Sequence, residues 1–132
     1  MSKERRITID SGLDKGKTFL IKRMPAVKGD RFIMRLFHGL VKNGFDITDS
    51  QRALGMLGVN QMMVNLIGSL DESLFMELMD EIWDYVYIIP SGGEARSVDV
   101  EIDIEDMFTP TKIRMAFLEA HTDFLTQGEN QS

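Results

Sequence analysis

Cysteine is absent from this 132-residue chain, which excludes disulfides and any cysteine-based metal or redox centre. Long apolar runs are absent as well. Stretches such as Tyr85–Ile89 fall far short of the ~20 residues that a membrane-spanning helix needs. Histidine occurs twice, at His38 and His121, on different predicted helices, and neither has a His, Asp or Glu at i+4 to complete a helical metal pair. Both read as partly buried packing histidines. No internal repeat or low-complexity linker divides the chain. What remains is an ordinary globular balance, 43% apolar and 27% charged, which argues against wholesale disorder. One domain over residues 1–128 is expected, with 129–132 as a flexible C-terminal tail. The start, Met1–Arg6, leads into a strand-like stretch rather than an apolar signal core.

Charge is unevenly spread. Residues 1–42 hold 11 Lys/Arg and 4 Asp/Glu, a net of +7; residues 43–132 hold 4 and 17, a net of −13. A basic half can mark a nucleic-acid surface. The whole chain is acidic, however, and its aromatics are few and mostly at core-like spacing. The two halves are expected to fold against each other and compensate.

Arg6–Asp10 alternates polar and apolar, and Lys17–Met24 is β-rich, with Gly12 and Gly16 between them. That spacing predicts a hairpin. The stretch Gly12-Leu-Asp-Lys-Gly16-Lys17-Thr18 is one residue short of a phosphate-binding loop, and Phe-Leu-Ile follows where a helix N-terminus would be needed. The glycines therefore read as turn formers.

Pro25 opens a helix in which Phe32, Ile33, Leu36, Phe37, Leu40 and Val41 form one stripe. Two short helices are expected over 46–69. Ser69 to Glu72 reads as a capping box for an acidic helix with Leu74, Phe75, Leu78, Met79 and Ile82 inward. This helix is a natural neighbour for the basic one. Val86–Ile89 and the alternating Arg96–Ile102 predict a second hairpin, and Asp103–Asp106 a short helical turn. Thr109-Pro110 starts the last helix, cap then first-turn proline, with Ile113, Ala116, Phe117, Ala120 and Phe124 inward. The fold class is α+β: two β-hairpins, able to form one small antiparallel sheet, packed with about five helices.

No residues converge as a catalytic set. Asp80-Glu81 and Asp99/Glu101/Asp103 read as solvated faces, the latter lining one side of a strand. Ser11, Ser50, Ser73 and Ser91 show no nucleophile elbow. No enzyme activity, cofactor or metal is expected. Five of the ten methionines, Met56, Met62, Met63, Met76 and Met79, fall within 24 residues. Methionine fills cores and also forms adaptable apolar surfaces. Met79 stands on a core stripe, whereas Met56, Met62 and Met63 suit a surface that shields apolar partner segments.

Thr8–Phe37, with Asp14-Lys-Gly16-Lys17-Thr-Phe19, Met24-Pro25-Ala26, Phe32 and Arg35, resembles the N-terminal part of a tail assembly chaperone family from long-tailed bacteriophages. Asp99–Leu125 is similar to that family's later segment, through Asp103-Ile-Glu105, Thr111, Ile113-Arg114, Ala120-His121 and Phe124. Leu74–Val86 resembles its acidic helix more loosely. Ala120 stands where Leu is usual in that family, and Phe32 where Trp is commoner. The resemblance implies a non-enzymatic assembly factor of the host cytoplasm, not expected in the mature virion. Its partners would be the tape-measure protein and the tail tube protein, with self-association allowed and neither nucleic acid nor membrane expected. A groove for an amphipathic helix, with Met56, Leu57, Met62 and Met63 contributing, would bind at about micromolar strength, roughly −8 kcal/mol. The alternative is a small nucleotide- or nucleic-acid-binding regulator using the basic N-terminal hairpin and helix.

Overall fold

The computed structural model describes residues 4–42, 68 and 70–130, with backbone alone at 40–41 and 122–130. Its elements in chain order are β1 (Glu4–Thr8), β2 (Thr18–Lys22), α1 (Ala26–Lys42), α2 (Glu72–Glu81), a 3-10 turn (Ile82–Tyr85), β3 (Val86–Ile89), β4 (Arg96–Ser97) and α3 (Thr109–Asn130). The expected hairpins share one antiparallel sheet, in the order β1-β2-β3-β4. β2 joins them: Phe19 pairs with Ile7 on one side and Ile88 on the other.

The period of two decides which side chains enter the core. Phe19, Ile21, Val86 and Ile88 belong to one core cluster with Phe32 and Leu36 of α1, Leu78 and Met79 of α2, and Ile113 and Phe117 of α3, and half-buried Ile7 packs against it. Phe117 sits centrally, edge-on to Phe32 at 5.7 Å between ring centroids. Leu20 faces the opposite side of the sheet, opposite Arg6 and Tyr87 on the neighbouring strands. It is buried without joining the cluster. Lys22 lies over the Tyr87 ring on that same outer face, 4.3 Å from its centroid.

The charge halves do meet. Arg35 of α1 pairs with Glu77 and Glu81 of α2, and Arg5 of β1 with Glu119 of α3 at 2.6 Å. These pairs are partly exposed, so each contributes under about 1 kcal/mol and serves mainly to set orientation.

Several expectations need correction. Three α-helices lie among the described residues; the two further helices expected over 46–69 fall outside them, apart from Gly68, which is helical. Asp71, not Ser69, is the N-cap of α2, and its side chain makes no capping hydrogen bond. Glu72 therefore opens the helix itself, where its charge suits the helix dipole. The strand expected over Arg96–Ile102 stops at Ser97. Beyond it, the amides of Ile102 and Asp103 bond back to the Asp99 carbonyl at 3.1 and 2.7 Å, so the chain coils into a turn instead of extending. No helical turn starts at Asp103–Asp106; α3 begins at Thr109 and runs past Gly128. His38 is exposed, on the outer side of α1.

Candidate functional site

The near-phosphate loop became something else. Gly12 and Gly16 take positive φ, 83° and 92°, and the chain between them curls so that Asp14 turns inward. Asp14 is fully buried. Its carboxylate accepts hydrogen bonds from Lys17 Nζ (2.8 Å), Thr109 Oγ1 (2.6 Å), and the backbone amides of Glu105 (3.0 Å) and Asp106 (2.9 Å). Burial alone would push this carboxyl up. The hydrogen bonds from Lys17, Thr109 and the two amides outweigh it and hold the group well below the usual carboxylate range.

Lys17 is occupied as well. Its ammonium donates to Asp14, to the Asp103 carbonyl at 2.8 Å and, more weakly, to Glu105 at 3.4 Å. The Asp14 hydrogen bond above all pushes its pKa up, against burial. With a strand following Thr18 and its lysine committed to Asp14, the loop is not a phosphate cradle. An open concavity beside it, between Arg6, Lys17, Thr18, Ile89 and Ser91, shares that lysine.

The acidic series Asp99/Glu101/Asp103 does not line a strand face. Asp103 is buried, gripped by the Arg96 guanidinium through two 2.8 Å bonds and by the Asp99 amide. The Arg96 bonds hold its carboxyl below the usual range, against burial. Thr109 likewise departs from expectation: its hydroxyl serves Asp14 instead of capping α3.

Asp106 completes the clasp and exposes a surface. Its carboxylate accepts from the amides of Phe108 (2.9 Å) and Leu13 (3.0 Å), which hold its pKa down. Leu13 and Phe108 therefore hang from one carboxylate, with Met107 between Asp106 and Phe108 in the chain, and Leu13, Met107 and Phe108 are 72%, 89% and 73% exposed. Ile102, on the same 99–108 stretch, is 72% exposed. Sequence reasoning missed this patch. The available signal was Met107-Phe108, two apolar residues outside any stripe just before a helix start.

Gly12 has a measurable signature. A Cβ there would lie 2.1 Å from Asp106 Oδ2, whereas at Gly16 a Cβ meets nothing within 4 Å. Both substitutions to Ala should lose about 1 kcal/mol for the left-handed conformation. Gly12→Ala should lose about twice as much as Gly16→Ala in urea unfolding, because it also displaces Asp106.

His121 packs in the core as expected. Its Nε2 accepts the Met24 amide at 3.0 Å, Nδ1 lies 2.9 Å from the Phe117 carbonyl, and the ring stacks on Phe117. Met79 is buried and Met76 is 44% exposed. Met56, Leu57, Met62 and Met63, the expected partner-binding set, lie outside the described residues. Among the described residues, no group of three His, Cys, Asp or Glu could hold a metal ion, and no helix is long and apolar enough to cross a membrane. No family model, curated protein or solved structure matches the chain.

Proposed function

We propose that this chain is a phage tail assembly chaperone, which binds the tape-measure protein in the host cytoplasm, keeps its helical segments soluble and promotes tail-tube assembly. The observation that carries the reading is how the residues of the resemblance meet. Asp14 and Lys17 of the first stretch lock onto Glu105 of the second. The Met24 amide donates to His121. Arg35 reaches Glu77 and Glu81 of the third stretch, and Arg114 lies over the Trp83 ring there. Residues singled out by likeness to one family thus brace one another across the chain, as a shared scaffold would require. Their polar groups are engaged in holding the fold, which leaves the surface to serve a partner.

A tape-measure protein is long and largely helical, with apolar faces that lack partners before assembly. An adaptable methionine surface suits that ligand. Co-expression tests the reading. A fragment of the tape-measure protein from the same genome should become soluble and copurify with this chain. Substituting Met56, Leu57, Met62 and Met63 together with Ser should reduce its recovery about tenfold or more. A fragment that stays insoluble beside the folded protein would overturn the proposal. Tight, salt-sensitive DNA binding in a titration would favour the regulator instead.

A further inference from the structure

Four cations of the fold hydrogen-bond to carboxylates: Arg5 to Glu119, Lys17 to Asp14, Arg35 to Glu77 and Glu81, and Arg96 to Asp103. Arg114 of α3 does not. Its guanidinium lies over the Trp83 ring, 5.4 Å from the centroid, and its side chain is only 21% exposed. Nη2 stands 3.9 Å from Asp80 Oδ1, beyond hydrogen-bond reach, and Nε is buried with no acceptor. Among the described residues nothing accepts a hydrogen bond from this group. Burial pulls its pKa below the ordinary guanidinium value, and Asp80 offsets only part of that. A largely shielded guanidinium with its donors unmet is costly to keep for packing alone.

The surroundings of Arg114 carry the opposite charge. Residues 71–84 hold six acids and no Lys or Arg. Asp80 and Glu81 end α2, where the helix dipole prefers cations. Arg35 answers Glu77 and Glu81. Asp80, 68% exposed, has only the distant Arg114, and Asp84 is exposed with no ion pair among the described residues. Apolar surface adjoins these acids. Met76, one helical turn before Asp80, is 44% exposed, and Trp83 is half-buried. The site thus combines unmet donors, unmatched acids and apolar contact.

From this combination we infer that Arg114, Asp80, Trp83 and Met76 receive the C-terminal end of a helix from a partner protein, one that carries Lys or Arg in its last turn. The last four carbonyls of a helix lack intrahelical donors and bear partial negative charge. They suit Arg114, whereas a full carboxylate would be repelled by Asp80 and Asp84. Cations are favoured in the last turn of a helix, and there they meet those two acids. An apolar residue of the same turn covers Trp83 and Met76, whose flexible side chain adapts to it. The Trp83 ring holds the guanidinium flat before the partner arrives, which reduces the ordering cost of association. The proposal goes beyond tail assembly and stands whether or not the chain serves it.

Trp83 is the sole tryptophan of the chain, so its fluorescence reports on this site. The probe is an amidated, alanine-based helix of about 20 residues, long enough to be helical by itself, with one Leu and two Lys in its last turn and no aromatic residue. Titrated into the full chain, it should change Trp83 emission saturably. The same peptide with its Lys pair moved to the first turn and two Glu in the last should bind at least about tenfold more weakly. Arg114→Met should weaken binding of the probe about tenfold, and Asp80→Asn about threefold. Arg114→Met should also leave the thermal midpoint unchanged or raise it, because methionine fills the space and leaves no donor unmet. An arginine kept for the fold would instead lower the midpoint when replaced. No saturable change with the probe would overturn the proposal. So would an equal response to the acid-ended peptide or to acetate alone, or a lower midpoint for Arg114→Met. Emission that shifts with the concentration of the chain alone would mean that a second copy fills the site, and would overturn it equally.

Discussion

Replacing Asp14 with alanine should destabilise the protein by about 3 kcal/mol, a magnitude typical of removing one partner from a buried, charged hydrogen-bond set. The substitution strands four donors at once: the Lys17 ammonium, the Thr109 hydroxyl and the amides of Glu105 and Asp106. The value belongs at the low end of the range for buried pairs because Lys17 is 29% exposed and can turn to water. Lys17→Met should cost less, since Asp14 keeps its other three donors. The double variant should be no worse than Asp14→Ala alone, because no unmatched ammonium then remains. Urea unfolding of the three variants decides this; equal costs for Asp14→Ala and Lys17→Met would mean that the amides and Thr109 contribute nothing.

The same site predicts acid lability. The Asp14, Asp103 and Asp106 carboxyls are all held below their ordinary range in the folded state. The unfolded chain therefore binds more protons as pH falls, and stability must fall with it. Their contribution is fully present above the ordinary carboxylate pKa of about 4 and is lost as pH drops through and below that value. Asp14→Ala should flatten this acid limb of the stability profile as well as lowering its plateau.

Local signals in the sequence were followed by the fold wherever neighbours in the chain decide the outcome. The two glycines made their turn, and the α1 stripe put Phe32, Leu36 and Phe37 into the core. The acidic helix met the basic one, as their opposite charges require. Signals failed where the partner lies far along the chain. Alternation over Arg96–Ile102 looked like a strand because nothing local reveals that Asp103 will turn back to Arg96. The role of Asp14 depends on Thr109, 95 residues later. A Thr-Pro pair reads as a cap in either case; what distinguished this one was a buried acid in need of a donor. The patch around Asp106 left only Met107-Phe108 as a local signal, since it is assembled from a hairpin loop and a distant turn. The expected methionine surface of Met56, Met62 and Met63 falls outside the described residues.

His121→Ala should cost about 3 kcal/mol, and the histidine itself should make the fold sensitive to mild acid. Its two ring nitrogens have opposite tasks. Nε2 accepts from the Met24 amide, so it carries no proton; Nδ1 must then carry the proton and donate to the Phe117 carbonyl. The folded state thus selects one neutral tautomer. Removing the ring leaves a buried amide without its acceptor, which costs about 1–3 kcal/mol, and loses the stack on Phe117, about 1 kcal/mol more. Protonation is opposed chiefly by burial, helped by the positive charge of Arg23 and resisted by the Phe117 carbonyl, so the pKa lies below its usual value of 6.5. A histidine kept neutral by folding binds protons more readily when unfolded. Its contribution is complete above pH 6.5, and stability falls as pH drops below that point toward the folded-state value. His121→Phe keeps an aromatic ring on Phe117 but cannot titrate, so it should lower stability at neutral pH while removing the loss between neutrality and the carboxylate range. Thermal unfolding of both proteins across that window measures the difference. If the two midpoints run parallel with pH, His121 does not carry the mild-acid response.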